Sequence, residues 1–437
     1  MKFTRWFVSL VWMIASFGAS ASPPFDIPPG LTVAAKAQAK HSDMLFATSG
    51  VVGHGLSVDE NGQGYIVVFV DNINIKGTPK WLDGVAVETV YTGRFYSLAP
   101  PTCGGPPSQR PPECFAEPDP VDPTTRFERP IPIGVSTGHP SITAGTIGAR
   151  VTDGTNVYAL SNNHVFANSN YANLNDPIIQ PGSIDGGDVS NDTYASLAAF
   201  VPIKFGEGDE NLNLMDAAIA LTTTGELMNS TPEDGYGVPS SVTTAAFVGQ
   251  SVKKYGRTTG QTQGEVIAVN SSVGVCYDSL CNSVARFIQQ ITISDGSFSA
   301  GGDSGSLIVS AETSQPVALL FAGSQTTTIG SPIGLVLNEF GVSIDSSQAP
   351  PPTTEFSLSA DGYKVKGLHK VRLEWTGSQA ENITIYRNGQ AISTEPNVDV
   401  FLDEINNKGG AVYTHQICEV IVAEESEVCS NTTVTNF

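Results

Sequence analysis

Ser299-Ala300-Gly301-Gly302-Asp303-Ser304-Gly305-Ser306 is the string in this 437-residue chain with the clearest chemical content. A serine flanked by small residues lets the backbone turn tightly, so that its side-chain oxygen and the neighbouring N–H groups can face one point. A serine hydroxyl is a weak nucleophile until a base takes its proton, and histidine, which titrates near neutrality, suits that task. His164 stands just after the apolar run Tyr158-Ala159-Leu160, and Asp216 opens the apolar run Ala217-Ala218-Ile219-Ala220-Leu221. A carboxylate held against an imidazole fixes its tautomer and stabilises the cation formed during acyl transfer. His, Asp and Ser follow in that order, 52 and then 88 residues apart. Each residue has a blander reading: a Gly-Asp-Ser-Gly string also occurs in loops, a lone His beside a strand is usually structural, and Asp216 could simply begin a strand. His139 is the other imidazole between residues 131 and 345. The three motifs together, in matched order, favour the chemical reading.

On these motifs, residues 131–345 resemble the trypsin-like (chymotrypsin-fold) serine peptidases, of the secreted bacterial type. The resemblance implies two six-stranded β-barrels with the active site in the cleft between them. It further implies His164 as general base, Asp216 as its orienting partner, Ser304 as nucleophile, and the amides of Gly302 and Ser304 as the oxyanion hole. No cofactor and no metal are expected. Animal relatives are activated when a freed apolar N-terminus pairs with the Asp before the nucleophile, here Asp303. Arg129-Pro130-Ile131-Pro132-Ile133-Gly134 has proline where such a cleavage would fall, so a barrel that needs no inserted terminus is expected. The residue six before the nucleophile, at the base of the primary pocket in that family, is Phe298. The absence of a carboxylate there argues against a Lys or Arg preference, and Phe321-Ala322-Gly323 is read as a pocket wall, with packing of Phe298 in the core as the alternative.

The elements that must position these residues read as mainly β. Val201–Phe205, Asp216–Leu221, Val248–Tyr255, Gly264–Val269, Phe287–Ile293, Ser306–Val309 and Pro316–Ala322 are short apolar runs separated by Gly, Asn, Asp and Ser turns. Ahead of them, residues 1–21 read as an export signal, with Lys2 and Arg5 before an apolar run and Ala19-Ser20-Ala21 as the cleavage site. Residues 22–98 read as a small α/β unit, serving as a propeptide, folding aid or accessory: helix-compatible around Ala34–Lys40, then strands Val51–Val58, Tyr65–Val70 and Val85–Tyr91. Residues 99–130 are rich in Pro and Gly and read as a linker, since proline removes a ladder donor. A second break, residues 346–354, precedes residues 355–437. There, Val371-Arg372-Leu373-Glu374-Trp375 and Ile385-Tyr386-Arg387-Asn388-Gly389 resemble a fibronectin type III-like or immunoglobulin-like β-sandwich, with an Asn-Gly hairpin turn.

Six cysteines form three close pairs, Cys103 with Cys114, Cys276 with Cys281 and Cys418 with Cys429. In an exported chain, nearest-neighbour disulfides are expected, although other connectivities are open; no Cys-x-x-Cys or His cluster suggests zinc. Asp185, Asp188 and Asp192 offer oxygens that a calcium ion would accept, but without the loop spacing of an EF-hand, and turn formation is the simpler reading.

The net charge of −21, from 22 Lys+Arg against 43 Asp+Glu, disfavours binding to nucleic acid or anionic lipid. No segment after the signal is long and apolar enough to span a bilayer. Between Asp176 and Asp234 there are 11 acidic residues and one basic residue, Lys204, which suggests an acidic rim near the cleft. The expectation is a secreted serine endopeptidase, extracellular or periplasmic, acting on proteins or peptides, with the C-terminal sandwich as a module for docking substrate, a surface or a polysaccharide. The alternative is an inactive peptidase-fold binding or adhesion protein.

Overall fold

The computed structural model describes residues 27, 29–98, 121–294, 296–346, 356–376, 378, 380, 382–397, 400–421 and 426–437. The signal expected over residues 1–21 and the Cys103–Cys114 pair lie outside them. The chain is mainly β and divides into two compact units, Met1–Ser347 and Gln348–Phe437.

In the first unit, six antiparallel strands close into a ring: Ser251–Gly256, Gly260–Cys276, Val284–Ser294, Thr327–Pro332, Pro316–Gly323 and Leu307–Ser310, the last pairing back onto the first. The period-2 alternation of a strand sends Ile308 and Leu320 to the core inside this ring, and Leu307, Val309 and Leu319 to the other face. That outer face packs on Ala149, Val151, Leu160, Ala217 and Ile219 of a second sheet. Strands such as Pro316–Gly323 are therefore buried along their whole length.

The second sheet has six antiparallel strands in the order Pro177–Ile179, Thr193–Phe200, Ala218–Thr222, Val157–Ser161, Ala149–Thr152 and Ser343–Ile344. Its ladder does not close among the described residues. Its other face covers a core of Ile131, Ile133, Val135, Phe166, Ile178 and Leu197. One of the two expected barrels is thus a closed ladder and the other an open six-stranded sheet.

Residues 29–98 do form a helix, Thr32–Ala47, and strands Val51–Val58, Gly64–Val70 and Val85–Tyr91. A separate unit is not what they build. Val51–Val58 pairs antiparallel with Gly260–Cys276 of the ring, with Gly53 opposite Val273, so that the ring, the N-terminal strands and the short strand Leu212–Asn213 form one 12-stranded sheet. Leu31, Ala34, Leu45, Leu56, Ile66 and Val68 enter the same core as Val252, Val266, Ile291 and Phe298 of the ring. Polar contacts dock the helix as well: the Gln38 amide exchanges two hydrogen bonds with Asn270, both 3.0 Å, and Arg286 lies 3.9 Å from the Phe46 ring centre while donating to Ser42 Oγ.

The linker expected over 99–130 is likewise packed where it is described. Arg126 pairs with the carboxylate of Asp192, and the Phe127 amide donates to Gln180 Oε1. Val201–Phe205 is not a strand. Its backbone is satisfied by asparagine side chains instead: Asn170 bonds both N–H and C=O of Ile203, and Asn213 does the same for Lys204.

The second unit consists of a three-stranded and a five-stranded antiparallel sheet. Leu358, Val371, Leu373 and Trp375 from one meet Ile383, Ile385 and Ile417 from the other in a single core. Asn388 and Gly389 both have positive φ, 52° and 75°, between the paired residues Arg387 and Gln390, the turn that favours Asn-Gly in a two-residue hairpin.

Candidate active site

The register of the open sheet brings Asp216 to His164. Ala218 lies opposite Ser161 in antiparallel strands, so Asp216, two residues before Ala218, falls level with Asn163, the neighbour of His164. His164 sits in the short helix Asn163–Phe166 that ends that strand. Its Nδ1 is 2.6 Å from Asp216 Oδ2, and its backbone N–H donates to Asp216 Oδ1 at 3.2 Å. Since the carboxylate only accepts, Nδ1 carries a proton. Nε2 is buried and has no hydrogen-bond partner.

Asp216 is fully buried and holds a third bond that the sequence motifs do not suggest. Tyr277 OH donates to Asp216 Oδ2 at 2.6 Å. Burial first, and then the Asp216 charge, push the Tyr277 phenol well above its ordinary range, so it remains a donor. Tyr277 owes its position to the small loop closed by the Cys276–Cys281 disulfide. Asp278 gathers this loop by accepting from the amides of Leu280, Asn282 and Ser283, and the Tyr277 N–H donates to the Ser283 carbonyl. The His164 and Tyr277 rings meet edge-on, 6.0 Å apart.

Ser304 belongs to the turn that leads into Leu307–Ser310 of the closed ring. The two sheets meet here: Thr146 N–H donates to Ser304 O at 2.8 Å, and Ser161 Oγ donates to Thr146 O at 2.8 Å. Gly305 permits this approach. A Cβ at that position would lie 2.2 Å from Ser161 Oγ and 2.3 Å from Thr146 O, and its φ of 97° disfavours any side chain. Ser304 is fully buried, and its hydroxyl donates to Phe321 O at 3.2 Å.

Asp303 anchors the same turn. Its carboxylate accepts from the amides of Thr258, Thr259 and Ala300 and from the Thr259 hydroxyl. Lys254 Nζ lies 3.4 Å away, both side chains being fully buried. An internal lysine thus supplies the cation next to Asp303. Gly302, at φ 103°, is the other position where glycine is required. Its carbonyl accepts from Thr146 Oγ1, and its N–H donates 2.7 Å to the carbonyl of Leu98.

Of the residues read as a pocket wall, Gly323 lines a cavity of about 880 Å³ together with Leu98, Ser299, Ala300 and Gly301. Phe298 and Phe321 are fully buried and do not line it. Phe298 packs in the ring core, and Phe321 packs on Phe287 with ring centres 4.6 Å apart. The packing alternative is therefore the one the structure takes for Phe298.

The three aspartates with oxygens suited to calcium have protein partners instead. Asp185 forms a two-pronged pair with Arg257, Asp192 pairs with Arg126, and Asp188 caps the turn Val189–Asp192 through the amides of Ser190 and Asn191. No group of three or more His, Cys, Asp or Glu suited to a metal occurs among the described residues. Of the acids between Asp176 and Asp234, Asp185, Asp192 and Asp216 are thereby internal or paired, which thins the expected acidic rim. Cys418–Cys429 is the second described disulfide. No described helix is long and apolar enough to cross a membrane.

No family model and no curated protein matches the chain. Among solved structures it is similar to a glutamic acid-specific serine protease described as using a histidine triad in substrate binding, at 21% identity over 49% of this chain and 100% of that one, with a TM-score of 0.36. It is also similar to Thermobifida fusca protease A, at 17% identity over 50% of this chain and 99% of that one, with a TM-score of 0.36. A third similar structure is Cellulomonas bogoriensis chymotrypsin, at 18% identity over 50% of this chain and 100% of that one, with a TM-score of 0.33. The architecture described above stands on the chain's own ladders and cores.

Proposed function

We propose that the protein is a secreted serine endopeptidase that cleaves peptide bonds through an acyl-enzyme on Ser304, with His164 as general base and Asp216 as its orienting carboxylate. The observation that carries this reading is the 2.6 Å contact between His164 Nδ1 and a buried Asp216, with Nε2 buried and unpartnered. Rotation of the Ser304 hydroxyl away from the Phe321 carbonyl and onto Nε2 is the side-chain movement this mechanism asks for. Nε2 then takes the hydroxyl proton as the oxygen attacks a carbonyl, and returns it to the leaving amine. The developing oxyanion is stabilised by the amides of Gly302 and Ser304, preorganised by the bonds that hold the 300–306 turn. Tyr277 acts through Asp216 as a positioning residue. Two disulfides support an exported chain, and the sandwich of residues 356–437 is assigned a fibronectin type III-like docking role.

The test is hydrolysis of a denatured protein by the purified full chain. Cleavage that disappears in both Ser304→Ala and His164→Ala supports the reading; equal cleavage by parent and variants, or none by the parent, contradicts it.

A further inference from the structure

A short strand of the chain lies where a substrate of this site would lie. Phe95–Ser97 bridges two strands that are not neighbours in the closed ring. On one side it runs antiparallel to Pro316–Gly323, with Ser97 opposite Ala322 and Tyr96 opposite Gly323. On the other it runs parallel to Gly260–Cys276, with Phe95 opposite Val275 and Tyr96 opposite Cys276. Adding an extended segment to an exposed sheet edge is a common mode of peptide recognition, in which the ladder gives affinity and side-chain pockets give specificity. The strand ends at Leu98, whose carbonyl oxygen accepts from Gly302 N–H at 2.7 Å. Gly302 is two residues before Ser304, and its amide is one of the donors assigned above to the oxyanion. Next to Ala322, Phe321 O receives the Ser304 hydroxyl. One carbonyl of the chain therefore sits on the oxyanion donor, while the ladder that carries it continues into the acceptor of the nucleophile.

The Leu98 side chain reports on the pocket. A Cβ added to Gly323 would lie 3.3 Å and 3.5 Å from the two Leu98 methyl carbons, so the absence of a side chain at Gly323 makes room for the isobutyl group. Leu98 also packs against the core cluster that contains Phe298. Among the described residues, the ring's share of the cavity wall, which includes Thr259, Ser299, Ala300, Gly301, Gly323 and Gln325, carries no ionisable side chain. The wall's opposed charges, Asp71 and Arg94, are paired at 2.9 Å and belong to the N-terminal segment itself.

We infer that Phe95-Tyr96-Ser97-Leu98 is the chain's own first substrate, and that the site cleaves after a medium-sized apolar residue of the leucine class. This rests on the proposed function and adds the substrate class to it. In the step, Ser304 Oγ adds to the Leu98 carbonyl carbon as its proton passes to His164 Nε2, and the carbonyl oxygen becomes an oxyanion held by Gly302 N–H. Collapse breaks the bond from Leu98 to the nitrogen of Ala99, which leaves as an amine with the proton from His164. Water then hydrolyses the Leu98 ester, giving the Leu98 carboxylate and restoring the Ser304 hydroxyl.

The experiment uses the full chain and a matched series of peptide anilides, Phe-Tyr-Ser-X with X as Leu, Glu or Lys. Terminal sequencing of the incubated chain should find a new N-terminus at Ala99 in the parent and none in Ser304→Ala. Leu98→Lys should slow that cut by at least about tenfold, as expected when a charge replaces a fitted apolar group, and the Leu anilide should turn over at least about tenfold faster than the Glu or Lys anilides. The inference is overturned if the Glu or Lys anilide is cleaved as fast as the Leu anilide, or if the parent is cut elsewhere, while Ser304-dependent hydrolysis leaves the proposed function standing. The anilide series needs no variant to fold. If no anilide is hydrolysed and no cut appears, both readings fall.

Discussion

Acidification below about pH 6.5 should loosen the N-terminal segment from the ring, through one histidine. His54 is buried between the helix Thr32–Ala47 and the strand Val51–Val58 that carries it. Its Nδ1 lies 3.0 Å from Gln38 Nε2 and its Nε2 2.9 Å from Ser42 Oγ. Gln38 Nε2 can only donate, so Nδ1 must be the unprotonated nitrogen. A proton there would face the Gln38 donor, with the Arg286 guanidinium bonded to the same Ser42 oxygen and the Phe46 ring packed edge-on 5.2 Å away. Burial first, and then Arg286, lower the His54 pKa from 6.5 to about 3. The unfolded chain therefore binds this proton as pH falls through about 6.5, while the folded chain does not until about 3. The stabilising difference is fully present above the unfolded value and is lost on the way down to the folded one. From about pH 7.5 to about pH 5 the loss is about 2 kcal/mol, at about 1.4 kcal/mol per pKa unit. Urea unfolding of a Ser304→Ala chain at the two pH values, with and without His54→Gln, isolates the effect of His54 from that of the carboxylates. The parent should lose about 2 kcal/mol more than the His54→Gln chain. Equal losses in the two would refute the assignment of the acid sensitivity to His54.

Other positions carry expectations of comparable sharpness. Tyr277→Phe removes one charge-assisted bond to Asp216, worth roughly 1.5–3 kcal/mol; steady-state kinetics should show kcat reduced by about tenfold or more with KM little changed, and an altered pH–rate profile, which a purely structural role would leave in place. Lys254→Met leaves Asp303 a buried carboxylate without its cation, for which a stability loss of about 3–5 kcal/mol in a denaturation experiment and a fall in kcat are expected. Gly323→Val should lower cleavage after Leu relative to Ala in the anilide assay, because the added side chain would occupy space now taken by the Leu98 methyl groups.

The residues of the candidate triad were legible because each sits in a local pattern: a serine among glycines, and a histidine and an aspartate at the two ends of apolar strands. Their approach also follows from one register, Ala218 opposite Ser161, a pairing that two apolar strand patterns of similar length already make plausible. Tyr277 had no such signal. Its bond to Asp216 spans 61 residues and depends on how a disulfide-closed loop turns. The N-terminal strands look self-sufficient in sequence, since apolar alternation shows that a strand has a buried face and not which neighbour covers its edge. The pairing of Gly53 with Val273, far apart along the chain, has no local marker. Val201–Phe205 misled for the opposite reason: its apolar residues suit a strand, but Asn170 and Asn213 satisfy the backbone that a ladder would otherwise have used.

The central claim is that Ser304 is a nucleophile activated by His164. Its most direct test is peptide-level mass spectrometry of the full chain after incubation with a fluorophosphonate. The account predicts a covalent adduct on Ser304 that is lost in His164→Ala; a parent chain that is fully processed or freely hydrolyses peptides yet carries no adduct at Ser304 would contradict it.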